Sequence, residues 1–131
     1  MKKLEEYIQE MGKDVEFDEF NLKETQLKLP AIKHKWVGRL VREKGKLQSL
    51  EQNRYTLVKT LAKEIITTAT YQVTLPTAEK AAKKHEKVVD LDNNIKESKL
   101  IVEFLEKGER IFSSMSFDIK NITEIMKLET L

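Results

Sequence analysis

The chain has 131 residues, of which 35% are charged and 7% aromatic, with only four Gly and two Pro. This composition favours long helices over a sandwich, a barrel or a doubly wound sheet, and the length suits one domain or one subunit of an assembly. The absence of Cys excludes a disulfide framework and thiolate zinc sites. Neither a signal peptide nor an apolar run of the roughly 20 residues that span a bilayer is recognisable. We therefore expect a soluble, intracellular protein with no membrane partner.

Positive charge is concentrated in one part of the chain. Residues 31–63 carry nine Lys or Arg and two acids, a net charge of +7, whereas residues 1–30 total −3 and residues 64–131 total −2. Clustered cations favour binding to phosphates because each contact releases counterions from the polyanion. The asymmetry indicates an anionic partner, most often nucleic acid.

The first third of the chain is predicted to form a short helix and the start of a long one. Apolar residues recur at helical spacing within residues 4–11, and Gly12 is expected to end this first helix. Asp18 is a candidate N-cap residue for the next helix. Pro30 is expected to kink that helix rather than to start a new one, since the helical pattern continues on both sides.

A long central helix is predicted from about Asn21 to Ile66. Between Trp36 and Leu61 apolar residues follow an alternating four-three spacing, which Glu43 and Arg54 interrupt. Such a seam is typical of a coiled coil or helical bundle. Because roughly 35 residues of such a helix already extend over about 50 Å, part of the seam is expected to face another subunit.

The following segment is a linker and a polar helix. Residues 65–76 are rich in β-branched side chains, which leaves open whether they form a frayed helix end with a linker or a short extended segment. Residues 77–89 are rich in Ala and Lys and are predicted to form a polar helix.

Two apolar helices are predicted to end the chain. Asp92 or Asn93 is the candidate N-cap of the first, and Ser114 and Ser116 are expected to separate it from the second. The second helix is apolar enough to need a packing partner, for which a neighbouring copy is expected. The candidate oligomerisation residues are Phe117, Ile119, Ile122, Ile125 and Met126.

Together these patterns predict an all-α subunit. We expect a single helical domain with a basic helical part at 1–66, a linker and polar helix at 67–91, and oligomerisation helices at 92–131.

Four cations of the basic segment lie in one stripe of the central helix. Their spacing of i, i+4, i+7 and i+11 places them within about 60° of the helix surface. A linear stripe suits contact with a phosphate backbone and contains no constellation for reading base edges, but it suits equally well pairing with acids of a neighbouring subunit. The stripe consists of Lys35, Arg39, Arg42 and Lys46.

The sequence favours binding over catalysis. It contains no Gly-rich phosphate loop and no metal-spaced cluster, and His34 and His85 lack ligand partners at useful spacing. Trp36 is interpreted as a core residue, whereas Tyr55 is as well suited to stacking on an unpaired base as to packing. We expect no enzymatic activity and no cofactor.

Five stretches, taken in order, resemble the UvsY recombination mediators of tailed bacteriophages. The similarity extends over nearly the whole chain apart from residues of about 65–87. The stretches are FDEFNL (17–22), PAIKHKW (30–36), TLVKTLAKE (56–64), VVDLDNNIKESKLIVEF (88–104) and SFDIKNITEIMKLE (116–129).

The resemblance implies a non-enzymatic protein that forms a ring-like homo-oligomer in the cytoplasm of the infected bacterial host. Its partners would be single-stranded DNA, the phage recombinase and the phage single-strand-binding protein. It would help load the recombinase onto covered DNA during recombination and repair. The alternative is a helical structural or assembly protein whose basic helix pairs with acidic neighbouring subunits and does not bind DNA.

The resemblance also points to DNA-binding residues. Lys59 matches the first of two cations in the family's basic stretch, but Leu61 stands where the second would be, so Lys63 or Arg54 is expected to supply that charge. The candidate DNA-binding residues are Lys59, Lys63, Arg54, Lys35, Arg39, Arg42 and Lys46.

Overall fold

The computed structural model describes all residues from Met1 to Leu131 and contains four α-helices and no strand. The helices are α1 (Lys2–Asp14), α2 (Leu22–Thr68), α3 (Leu75–Ala82) and α4 (Glu86–Glu129). Helix α2, with 47 residues, is the longest element and contains Pro30. The predicted all-α fold with a long central helix through this proline is therefore confirmed.

Helix α1 continues past Gly12, so the prediction that this glycine ends it was wrong. No residue of the chain has a positive φ, and Val15 ends the helix in the right-handed conformation. Tertiary contacts explain the additional residues, because Met11 is buried and the Asp14 carboxylate accepts a hydrogen bond from Trp36.

Asp18 shapes the turn ahead of α2 and does not cap that helix, in contrast to the prediction. Its Oδ1 accepts hydrogen bonds from the backbone N–H groups of Phe20 (2.8 Å) and Asn21 (3.1 Å). In return, Asn21 Oδ1 accepts one from the Asp18 N–H (2.8 Å). The helix then begins at Leu22.

The stretch of β-branched residues divides between a helix end and a linker. Helix α2 extends to Thr68, and α3 begins only at Leu75. The hydroxyls of Thr67 and Thr68 donate to carbonyls four residues earlier, both at 2.8 Å, which keeps these side chains compatible with the last helical turn.

The apolar C-terminal part is one helix, so the predicted break at Ser114 and Ser116 was wrong. Ser114 Oγ donates to the carbonyl of Ile111 (3.0 Å) without interrupting the helix. Phe112 and Met115 are buried on either side of it, and this tertiary packing outweighs the weak local preference of serine.

Helix α4 also begins earlier than predicted, at Glu86 rather than after Asp92 or Asn93. The residue before it, His85, supplies the cap, since its Nδ1 accepts a hydrogen bond from the Lys87 N–H (3.1 Å).

The chain divides into two compact units. Unit 1 contains residues Met1–Arg42 and Leu100–Leu131, and unit 2 contains Glu43–Lys99. Helices α2 and α4 each contribute to both units.

Unit 1 is built around Trp36, which is 2% exposed. Its ring stacks on Phe112 with centroids 6.4 Å apart and meets Tyr7 edge-on at 5.6 Å. The indole N–H donates to Asp14 (2.7 Å), so the polar atom of this buried side chain is satisfied. The core interpretation of Trp36 is confirmed. The other buried residues of this core are Met11, Leu22, Leu29, Leu40, Ile101, Leu105, Phe112, Met115 and Ile119.

The clustered buried residues of unit 2 are small, and the larger Leu57, Leu61 and Ile65 pack against them partly buried. Helix α2 contributes Val58 and Ala62, α3 contributes Ala78 and Ala82, and α4 contributes Val88. Because these side chains are short, the three helices approach one another closely at this point.

Polar pairs within unit 2 account for the two interruptions of the apolar seam. Glu43, which is 2% exposed, accepts a hydrogen bond from Ser98 Oγ of α4 (2.9 Å). Arg54 forms an ion pair with Asp92 of α4. Helix α4 thus provides a polar partner at each place where the seam of α2 is not apolar.

We predict that Trp36→Ala lowers the free energy of unfolding by about 3–5 kcal/mol, because it removes a large buried ring and leaves a cavity. Val37→Ala is the matched control. Val37 is 41% exposed, so we expect a change within about 0.5 kcal/mol. Urea unfolding followed by far-UV circular dichroism, at one protein concentration, measures both. Equal effects of the two substitutions would contradict the proposed role of the ring.

Candidate nucleic-acid interface

The cations Lys35 and Arg39 face acids of the same chain in unit 1. Lys35 Nζ lies 2.6 Å from Asp14 Oδ2, and Arg39 forms an ion pair with Glu10. Both acids belong to α1. The guanidinium of Arg39 also lies over the Trp36 ring, 4.6 Å from its centroid, an arrangement that adds cation–π attraction. These two candidate DNA-binding residues therefore hold α1 against α2.

The remaining members of the stripe are unpaired. Arg42 in unit 1 and Lys46 in unit 2 are exposed and have no acid within 4 Å. The stripe predicted as one surface thus consists of two cations that are neutralised within the chain and two that are accessible to an external anion.

Two further candidates, in unit 2, also have intramolecular partners. Arg54 pairs with Asp92, and Lys59 Nζ lies 2.6 Å from Glu79 Oε1 on α3. The hydrogen bond to Glu79 raises the pKa of the Lys59 ammonium above its ordinary value, although desolvation acts in the opposite direction. Lys59 therefore remains protonated, with part of its charge already balanced by a carboxylate.

An accessible aromatic and a free cation flank Lys59 on α2. Tyr55 is 61% exposed, and its ring centroid lies 5.5 Å from Lys59 Nζ. Lys63 is exposed and has no acid within 4 Å. Because the three residues stand at i, i+4 and i+8, they share one face of the helix over about 12 Å. This combination of an aromatic ring with cations suits an unpaired nucleotide strand.

Sequence reasoning noted a second group of lysines only as part of a polar helix and did not count it as a candidate site. Residues 80–87 contain four Lys and one Glu, a net charge of +3. The group was overlooked because the acidic stretches around it give residues 64–131 a negative total. The local density of four lysines in eight residues was the signal that could have revealed it.

The five candidate oligomerisation residues of unit 1 fall into two groups. Ile119 is buried in the chain's own core, and Ile122 and Met126 pack against that core. Phe117 and Ile125 are 63% and 54% exposed. These two are the most accessible of the five to a neighbouring molecule, while Ile122 and Met126 are partly exposed.

Phe117 and Ile125 belong to an uncovered apolar stripe of α4. Leu128, which is 70% exposed, lies within about 80° of both on the helix surface. Beside this stripe is an open groove of about 1150 Å³, bordered by Phe117 of α4 and by Phe20 and Leu27 near the start of α2. A contiguous exposed apolar surface of this kind is typical of an interaction site.

No cluster of three His, Cys, Asp or Glu side chains in the structure could hold a metal ion. No helix has both the length and the apolar character that crossing a membrane requires.

Comparison with known proteins gives structural matches alone. No protein family profile matches the sequence, and no curated protein matches it. Three crystal structures of the bacteriophage T4 recombination mediator protein UvsY superpose on the chain. The lattice type IV structure has a TM-score of 0.82 at 18% identity and covers 96% of this chain and 98% of UvsY. The lattice type II structure has a TM-score of 0.80 at 16% identity and covers 97% of each chain. The lattice type I structure has a TM-score of 0.77 at 17% identity and covers 97% of this chain and 98% of UvsY.

The chain therefore has a UvsY-like fold over nearly its whole length. The fold implied by the resemblance of the five sequence stretches is confirmed by these superpositions.

We predict that Lys59 is acylated more slowly than Lys63 at pH 8. The pKa of Lys59 is raised above that of an ordinary lysine, so a smaller fraction of its amine is neutral and reactive than in an ordinary lysine. The hydrogen bond to Glu79 also restrains that amine. In a Glu79→Gln variant the rate at Lys59 should rise, while that at Lys63 serves as the internal control. Limited acetylation followed by peptide mass spectrometry measures both rates. An unchanged Lys59 rate in the variant would show that Glu79 does not hold the ammonium.

Proposed function

We propose that this protein is a phage recombination mediator. It binds single-stranded DNA and helps load the recombinase onto DNA that is covered by single-strand-binding protein. Its partners are single-stranded DNA, the recombinase, the single-strand-binding protein and further copies of itself in a ring-like homo-oligomer, and it acts in the cytoplasm of the infected bacterial host without catalysing a reaction.

The observation that carries this proposal is the match to UvsY. It extends over at least 96% of both chains with TM-scores of 0.77–0.82, so every helix of this chain has a counterpart in a recombination mediator.

The accessible side chains of unit 2 support the same proposal. A mediator needs affinity that is independent of sequence, and contacts to phosphates and stacking on base faces provide it. Lys63 and Tyr55 offer one contact of each kind, and Lys59 lies between them. Each copy supplies only a few such contacts. Several copies in one assembly raise the overall affinity because the later contacts form within an already bound complex.

A second candidate function is favoured by the ion pairs. Four of the seven candidate DNA-binding residues, namely Lys35, Arg39, Arg54 and Lys59, pair with acids of the same chain. A helical assembly protein that uses its basic helix only for packing would show such pairs. Binding to single-stranded DNA distinguishes the two functions.

Self-association is supported by the uncovered stripe of α4. Phe117, Ile125 and Leu128 face away from the core of unit 1, toward which Ile119 and Met126 point. Burial of such apolar surface between copies would contribute roughly 25 cal/mol per Å² to association.

We predict that single-stranded DNA binds with little sequence preference and with an affinity that falls steeply as salt rises. Replacing Lys59 and Lys63 together by Ala should weaken binding equally for all sequences and lower the slope of log affinity against log salt by about 0.7 for each lost phosphate contact. Of the two single variants, Lys63→Ala should have the larger effect, because Lys59 is already paired with Glu79.

The control is the double replacement of Lys96 and Lys99, two exposed lysines on α4 in the same unit. Fluorescence anisotropy with labelled oligonucleotides at two or more salt concentrations measures all variants. If the wild-type protein does not bind single-stranded DNA, the mediator proposal fails and the packing function is favoured.

We predict that Phe117→Asp combined with Ile125→Asp reduces the assembly to monomers or small species, because each introduced carboxylate would be buried at the interface without a partner. These substitutions test the interface better than removal of the last helical turns, since Ile119 is part of the chain's own core. Light scattering measures the assembly size, and circular dichroism checks the fold.

Val37→Asp combined with Val41→Asp is the matched control, as both valines are exposed on α2. If this control dissociates the assembly and the α4 variant does not, the interface lies along α2.

A further inference from the structure

The turn between α3 and α4 presents an unusual density of free positive charge. All four lysines of residues 80–87 are exposed, and none of them has an acid within 4 Å. By contrast, Arg54 and Lys59 on α2 are both paired. Within unit 2, the turn therefore offers more unneutralised cations than the helical stretch to which the sequence pointed. They are Lys80, Lys83, Lys84 and Lys87.

These lysines project from a well-fixed part of unit 2. Ala78 and Ala82 of α3 are buried against α2, which leaves Lys80 on the outer face of α3. The hydrogen bond between Lys59 and Glu79 (2.6 Å) attaches the same helix to α2.

The turn itself is closed by backbone hydrogen bonds, from the Lys84 N–H to the carbonyl of Ala81 (3.1 Å) and from the His85 N–H to that of Ala82 (3.0 Å). The backbone that carries the charges is thus ordered before any ligand binds, so binding does not include the entropic cost of ordering it.

An apolar groove of about 400 Å³ lies beside the turn. Its lining consists of Leu61, Glu64, Ile65 and Thr68 of α2, Ala81 and Ala82 of α3, and Lys84 and His85 of the turn, and its surface is mainly apolar although one acid is present. Its volume falls within the range of small-molecule binding sites. An apolar surface with a cation at its side is complementary to an unpaired nucleotide, which presents a flat base and a phosphate at a short distance from each other.

We infer that this turn is a contact surface for single-stranded nucleic acid, with its lysines on the phosphates and the groove open to a base. The inference rests on the proposed function and extends it to residues outside the basic helix. The four lysines are also compatible with an acidic peptide, which would need only their positive charge. The apolar groove beside Lys84 favours instead a ligand that carries a flat ring next to its anionic group.

The test compares two charge-matched double variants of the full-length protein. Lys83→Gln with Lys84→Gln removes two turn lysines, and Lys96→Gln with Lys99→Gln removes two exposed lysines elsewhere in unit 2. Labelled oligothymidylate is titrated at several salt concentrations. We expect the turn variant to bind about 3- to 10-fold more weakly at moderate salt and to lower the salt slope by about 1.4, as for two lost phosphate contacts. The control variant should stay near wild type. Thermal unfolding verifies that both variants are folded.

Three outcomes would decide against the inference or its basis. Equal behaviour of the two variants overturns the turn as a binding surface while leaving the mediator proposal intact. Loss of binding to a labelled hexaglutamate peptide, with binding to oligothymidylate unchanged, would assign the turn to an acidic protein partner instead. If the wild-type protein binds no oligothymidylate, the proposed function itself fails, and the inference fails with it.

Discussion

Covering the apolar faces of two very long helices is the constraint on which this fold depends. Helices α2 and α4 have 47 and 44 residues, and a helix in water gains most of its stability from packing of its apolar face. In unit 1, Trp36 and Leu40 of α2 pack with Phe112 and Leu105 of α4 in one core. Where the seam of α2 is polar, in unit 2, α4 supplies Ser98 to Glu43 and Asp92 to Arg54. A buried charge without such a partner is strongly destabilising, so these pairs also favour one alignment of the two helices.

The same requirement decides which charges are available for binding. The formal charge of +7 on residues 31–63 overstates the free positive charge, because acids of α1, α3 and α4 neutralise part of it. Lys35 and Arg39 position α1, whereas Lys59 positions α3. The basic segment therefore has a structural role as well as any binding role, and the ability to attract a polyanion depends on which cations remain unpaired after folding.

The sequence predicted most of the fold because the strongest signal, the four-three seam, is periodic over many turns. The expected bounds of 21–66 for α2 are close to the observed Leu22–Thr68. The errors concerned single residues with weak local preferences. Gly12 and Ser114 did not end helices, because neighbouring side chains such as Met11 and Phe112 are buried and hold the backbone helical.

The candidate site was harder to predict than the fold. The ion partners of Lys59 and Arg54 lie 20 and 38 residues away in the sequence, so only tertiary structure shows that these cations are paired. The oligomerisation residues were difficult to predict for a different reason. The end of α4 is apolar on two faces, and periodicity does not reveal which face is packed against its own chain, as with Ile119, and which is left open, as with Phe117.

The contrast between the two cores has a consequence for motion. The core of unit 1 contains Trp36, Phe112 and several large aliphatic residues, whereas no residue of the clustered core of unit 2 is larger than valine. The larger residues Leu57, Leu61 and Ile65 pack against this core while remaining partly exposed, so we expect the amide protons of unit 2 to exchange with solvent sooner than those of unit 1. Helix α3, with eight residues, is the shortest helix, and it is held against α2 by two buried alanines and by the ion pair of Glu79 with Lys59. Because Glu79 lies on α3 and Lys59 on α2, the charge that α2 presents to solvent depends on the docking of its shortest neighbour.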